Sequence, residues 1–328
     1  MKTNLITRIS IVAVLIFAFC ANTFAQDTRE WWNSLSPAWK KIFRDQELKG
    51  KDVEPTEEQL QSMVTMEHIN CSGNKDIEDL RGLSRLTNLK TIDCSNTNIK
   101  SLDGVQTLSG LMELNCSNND NVNSLKPISG LVNLVSINCG NTMVKSLAPL
   151  TYLKKLRKLD AHYCTVNNLG QIGELKSLMY LNLSENHSLF SIAGIEKLTQ
   201  LVELNCANTA INDLKPLENM KSIESLNVAN TRVTTLRPLQ FVRTLKEIDC
   251  SGTGIQSASL DYFSSHLQLR FLRGRDLEID KKELDEFIAT FAKRVPECDV
   301  LLTKKYSAYC NLTQYAAGQK SVCTAAFF

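Results

Sequence analysis

The 328-residue chain has few of the signatures by which a sequence announces chemistry. It carries no glycine-rich phosphate loop, no GxSxG, no HExxH, no CxxC and no dinucleotide fingerprint. Histidine is scarce, with four in all: His68, His162, His187 and His266. No enzyme class and no cofactor is indicated. Charge of one sign is not in excess either. The formal net charge is +2, and removal of Lys2 and Arg8 with the leader described below leaves 35 basic against 35 acidic residues. That balance gives no footprint for nucleic acid or an anionic membrane. Only one long apolar run is present, Ile11 to Ala21, and it is too short to span a bilayer.

That run reads as the core of an export signal. Lys2 and Arg8 precede it, and Thr23-Phe24-Ala25 ends in the small residue that a signal peptidase requires. Residues 1–25 are therefore expected to be removed, placing the protein in the periplasm, at the cell surface or in the medium. The mature chain would have no integral span. A retained N-terminal anchor is the alternative. Phe19 is too bulky before Cys20 for a lipidation site.

What the chain has in abundance is self-similarity. The frame Leu86-x-x-Leu89-x-x-Ile92-x-Cys94 returns nine times. The position of Cys94 is held by Cys71, Cys94, Cys116, Cys139, Ala161, Leu183, Cys206, Val228 and Cys250, at steps of 22 or 23 residues. A fixed period of this length means a solenoid. Ile92-x-Cys94 alternates with period two, as a short strand does, and Leu83, Leu86 and Leu89 recur at the spacing of a 3₁₀ turn. Pro127, Pro149, Pro216 and Pro238 suit the turn into the far side, because proline fixes φ and lacks a donor. A single unit cannot bury enough surface to offset its ordering entropy, so the units must stack.

Three residues after the Cys94 position stand Asn74, Thr97, Asn119, Thr142, Cys164, Asn186, Thr209, Thr231 and Thr253. The three Asn repeats are the three of 23 residues. A buried Asn can bond the backbone of a wider turn with both amide and carbonyl, and Cys164 is expected to bond locally. The six cysteines of the first column read as small buried hydrophobes. Their Cβ atoms would lie about 4.8 Å apart, too far for a relaxed disulfide. One disulfide among Cys298, Cys310 and Cys323 is expected as an alternative to three free thiols.

The pattern resembles the leucine-rich repeat family, most closely the short, internalin-like repeats of exported bacterial proteins. The resemblance implies an α/β solenoid, an arc with a parallel β-sheet on its concave face and 3₁₀ or irregular turns on the convex side. It covers residues 60–279, as nine regular repeats and one degenerate copy at Leu269 to Ile279. Residues 26–59 are read as a helical N-terminal cap. There Ser36 and Pro37 open one helix, and Thr56 with Gln59 opens another. Trp31, Trp32 and Trp39 either cover the first repeat or form a ligand platform. Residues 280–328 are read as a C-terminal α/β cap and tail. In this cap Asp280 and Glu283 open a helix, and Cys298, Val300 and Leu302 alternate as a last strand.

Between the inward strand positions lies a row composed wholly of Asn and Asp: Asn70, Asp93, Asn115, Asn138, Asp160, Asn182, Asn205, Asn227 and Asp249. It is either a polar strip for a ligand or the small polar lining that a crowded concave face needs. Flanking positions are mostly small. The exception is mid-array, where Lys158, Asp160, His162, Tyr163, Tyr180, Asn182 and Glu185 gather in two adjacent repeats. Aromatic and charged groups near the centre of a surface make a binding hot spot, and ordinary variation between repeats is the alternative. The expected partner is another protein, bound by the concave face. A structural or carbohydrate-binding role in the cell envelope is the second reading.

Overall fold

A computed structural model describes residues 26–304. Among them, eleven strands form one open parallel sheet in strict chain order. They are β1 (His68–Asn70), β2 (Thr91–Asp93), β3 (Glu113–Asn115), β4 (Ser136–Asn138), β5 (Lys158–Asp160), β6 (Tyr180–Asn182), β7 (Glu203–Asn205), β8 (Ser225–Asn227), β9 (Glu247–Asp249), β10 (Phe271–Leu277) and β11 (Asp299–Lys304). The register follows the repeat, pairing Ile69 with Ile92, Ile92 with Leu114 and Leu159 with Leu181. The central residue of each three-residue strand is buried and the two flanking it are not, as the alternation requires. Four 3₁₀ turns place the prolines as expected, in Lys126–Ile128, Ala148–Leu150, Lys215–Leu217 and Arg237–Leu239.

Stacked columns make the core. The cysteine column and the leucine columns are buried along the whole array. Each fully buried Leu or Ile contributes roughly 2 kcal/mol. The column cysteines are free thiols, and burial pushes Cys71, Cys116, Cys206 and Cys250 up to about 12.

The Asn/Thr column carries the hydrogen bonds that hold the turns. Asn119 donates from Nδ2 to the carbonyls of Cys94, Cys116 and Ser117, and its Oδ1 accepts from Thr97 N at 3.1 Å. Asn186 donates to Ala161 and Leu183 O, both at 2.9 Å, and accepts from Val166 N. Both side chains reach back into the preceding repeat. Asn74 belongs to the first repeat, with no earlier turn to reach; it is half-buried and accepts from Asp76 N in its own loop. Thr142, Thr209, Thr231 and Thr253 each donate to the carbonyl three residues earlier. Cys164 departs from the expected local bond. Cys164 Sγ donates to Cys139 O of the previous repeat at 3.2 Å, while Ala161 O accepts from Asn186.

Helices close both ends. Residues 26–34 form α1, which the sequence reading did not anticipate. Its Trp31 and Trp32 are buried against the cap and the first repeat. Helix α2 is Pro37–Glu47, with Ser36 accepting from Trp39 N, and α3 is Glu57–Val64, with the full Thr56/Gln59 capping box. The platform reading of the tryptophans is overturned. All three are buried, and Trp31 and Trp39 donate from Nε1 to the carbonyls of Gly82 and Asp79 in the first repeat, each at 3.0 Å. At the other end α4 (Ser257–Leu260) packs against α5 (Lys281–Arg294), and α5 lies beside β11. Asp280 caps α5 by accepting from Lys282 N. Cys298 is half-buried, while Cys310 and Cys323 lie outside the described residues. No helix of the described residues is long and apolar enough to cross a membrane.

Candidate functional site

The concave face is built from rows, one residue per repeat. In the Asn/Asp row, each of the nine side chains accepts from the backbone N–H two residues later, at 2.9 to 3.2 Å. The row therefore ends each strand and starts its turn. Only a short side chain with an acceptor oxygen can do this, which is why Asn and Asp alternate freely. Asp160 and Asn182, assigned from sequence to a binding site, keep Oδ1 on this structural bond.

Three residues after each Asn or Asp runs a row of left-handed backbone, with φ between 48° and 74°: Gly73, Asn96, Asn118, Asn141, Tyr163, Glu185, Asn208, Asn230 and Gly252. Seven of the nine are Gly or Asn, which tolerate this region. Tyr163 and Glu185 are the two that do not. They occupy consecutive repeats, in the middle of the array.

The mid-array residues come together around these two positions. Lys158 pairs with Tyr180 and Asp160 with Asn182 across β5 and β6. His162 Nδ1 lies 2.7 Å from Asp160 Oδ1, and its ring rests over Gly140 of the preceding repeat. Tyr163 and Tyr180 are 57% and 41% exposed. Glu185 Oε1 accepts from Asn208 Nδ2 at 2.6 Å. His187, which the sequence reading passed over, joins the group. Its ring meets Tyr163 edge-to-face at 6.5 Å, and Nδ1 lies 3.0 Å from Asn208 O. Cys164 bonds Cys139 O and Thr142.

Comparison with known proteins bears on this architecture. A family model for leucine-rich repeats, in two copies, matches residues 64–107 and 199–241. An internalin from Listeria monocytogenes, InlF, superposes with a TM-score of 0.66 at 20% identity, over 82% of this chain and 89% of that one. The fold is that of an internalin-like leucine-rich repeat protein. The functional domain of InlJ from the same organism, whose structure is described as including a cysteine ladder, superposes with a TM-score of 0.62 at 16% identity, over 85% of this chain and 61% of that one. A plant peptide hormone receptor, RGFR1, solved in complex with RGF2, gives 0.52 at 18% identity, over 68% of this chain and 37% of that one. No curated protein matches by sequence. In leucine-rich repeat terms, the mid-array group sits on the inner sheet and along the rim where its strands end.

Proposed function

We propose that the protein is an exported, non-enzymatic leucine-rich repeat module that binds another protein through its concave face, centred on β5 and β6. One observation carries this reading. Tyr163 and Glu185 hold a left-handed backbone that costs of order 1–3 kcal/mol outside Gly and Asn. Five repeats of the same chain show that Asn solves the local problem. Two large side chains that keep the strain, next to each other and beside Lys158, His162 and Tyr180, point to a use for them in recognition. The charge of the face favours a protein over nucleic acid. Outward positions of β1 to β9 carry six carboxylates (Asp93, Glu113, Asp160, Glu203, Glu247 and Asp249) against Lys158.

The test is capture of a partner from envelope extract, followed by affinity measurements across variants. Tyr180→Ala and Lys158→Ala should each weaken binding by roughly 2 kcal/mol or more, about thirtyfold. Thr91→Ala and Glu247→Ala, nearer the ends of the array, should cost well under about 1 kcal/mol. Equal affinity of all four variants would move the site off this patch. Selective retention on a glycan array, in place of protein capture, would favour the envelope carbohydrate reading, whose support is the pair of exposed tyrosines. Export is tested by N-terminal sequencing of the envelope fraction, which should begin at Gln26; an intact Met1 would refute it.

A further inference from the structure

In the Asn/Asp row the oxygen is already committed. The N–H two residues on needs an acceptor, so Oδ1 of Asn138, Asn182 and Asn205 faces it, at 3.0 or 3.1 Å. The amide nitrogen is left over. Among the described residues, Nδ2 of these three half-buried asparagines meets no acceptor, although each side chain is fixed at its other atom. The middle of the concave face therefore holds oriented donors. A ligand rich in unpaired acceptors suits them. A polyproline II segment makes no internal hydrogen bonds, and its prolines offer carbonyls but no N–H.

The residue that opens each strand makes a second row. Across β3 to β7 it runs Glu113, Ser136, Lys158, Tyr180, Glu203, each paired in register with the next. Charge appears at every second strand and alternates in sign. Glu113, Lys158 and Glu203 are exposed, with no ion pair or side-chain hydrogen bond among the described residues. At about 4.8 Å per strand, successive charges lie about 9.6 Å apart. Polyproline II repeats a face every third residue, at about 9.3 Å. A β-strand repeats a face every about 6.7 Å, and two turns of α-helix take about 10.8 Å. From Glu113 to Glu203 the mismatch is about 0.6 Å for polyproline II and about 2.4 Å for a helix. Tyr180 stands between Lys158 and Glu203, 41% exposed, where a proline ring can pack on it. A hollow of about 520 Å³, lined by Gln46 and by β1 to β5, contains Glu113, Ser136 and Lys158.

Resting on the concave-face reading above, we infer that the partner presents a proline-rich polyproline II segment across β3 to β7, with a basic, an acidic and a basic residue at three-residue intervals. The basic residues meet Glu113 and Glu203, and the acidic one meets Lys158. The backbone carbonyls between them accept from Nδ2 of Asn138, Asn182 and Asn205.

The probe is a fluorescently labelled peptide, Lys-Pro-Pro-Glu-Pro-Pro-Lys, titrated with the full chain and read by anisotropy. It should bind at least tenfold more tightly than Lys-Gly-Gly-Glu-Gly-Gly-Lys, which has the same charges without the helix, and than the sign-inverted Glu-Pro-Pro-Lys-Pro-Pro-Glu. Lys158→Glu should reverse the central preference, so that Lys-Pro-Pro-Lys-Pro-Pro-Lys becomes the tighter ligand. Asn182→Asp keeps the turn acceptor, since Asp stands at this position in three repeats, but removes the donor. It should weaken binding severalfold, whereas attraction between charges alone would strengthen it. Melting curves control for folding. No binding of the proline peptide, equal binding of the glycine or inverted peptide, or tighter binding by Asn182→Asp would each overturn the inference. Affinity of Lys158→Ala and Tyr180→Ala for the captured partner is measured separately. If those two variants lose the partner while the proline peptide neither binds nor competes, the concave-face reading stands and this inference falls.

Discussion

The imidazole of His162 rests on the α-carbon of Gly140, in the space where a side chain at 140 would have to go. Elsewhere in this row the residues are Ser or Ala. The large residue in one repeat is thus matched by the missing side chain in the repeat before it. Gly140→Ala should destabilise by about 1–3 kcal/mol through overpacking. Adding His162→Ser should restore most of that loss. A double-mutant cycle by urea denaturation measures the coupling, and additive effects would show that the contact carries no constraint.

Tyr163→Asn and Glu185→Asn should each raise stability by about 1 kcal/mol, because Asn adopts the left-handed backbone at lower cost. The gain at 185 should be the smaller, since the bond from Asn208 to Glu185 is lost. Both variants should bind the captured partner more weakly than the parent. Stability rising while affinity falls is the signature of strain kept for recognition, and unchanged affinity would make these two residues incidental.

Removing Asn186 should be expensive. Asn186→Ala leaves Ala161 O, Leu183 O and Val166 N without their side-chain partner in the interior. At about 1–3 kcal/mol for an unsatisfied buried group, the loss should exceed roughly 2 kcal/mol. Asn74→Ala, half-exposed and bonded within its own loop, should cost under about 1 kcal/mol. Chemical denaturation of both separates the bridging role from mere conformity to the column.

Much of this was legible in advance, for physical reasons. The register of the sheet follows from a repeat step held to within one residue, and the strand faces follow from alternation. The Asn/Asp row was visible as composition, but its bonds were not. The shared property, an acceptor oxygen on a short side chain, becomes meaningful only once the N–H two residues on is known to point at it. The left-handed row was equally open to view, since Gly and Asn are the residues that tolerate positive φ, yet the two exceptions drew notice only as aromatic and charged outliers.

His266 predicts a pH dependence. It occupies a core leucine column in the last repeat, fully buried, with Nε2 donating to Leu239 O at 3.0 Å and Nδ1 without a partner among the described residues. Burial holds its pKa below the ordinary 6.5, with Arg243 adding to the effect. The unfolded chain then binds a proton that the folded chain refuses. Stability should therefore be fully present above about pH 6.5 and fall as the pH drops through and below it. His266→Leu should remove that part of the acid dependence while leaving stability at neutral pH equal or higher. Urea midpoints measured from pH 8 to pH 5 for both chains decide it.

Among the described residues the caps meet the ends of the array: Trp31 and Trp39 bond Gly82 and Asp79, and α5 packs against β11 and α4. Among the described residues, no contact of either cap reaches the middle of the array. In genetic terms, the coding segment for one interior unit can be duplicated or lost by unequal recombination, and both closures still find their seats. The repeats from Gly140 to Asn208, where His162 needs the glycine before it and Glu185 bonds the asparagine after it, resist such editing. A lineage of these proteins could change its length by a strand at a time and keep the same mid-array patch.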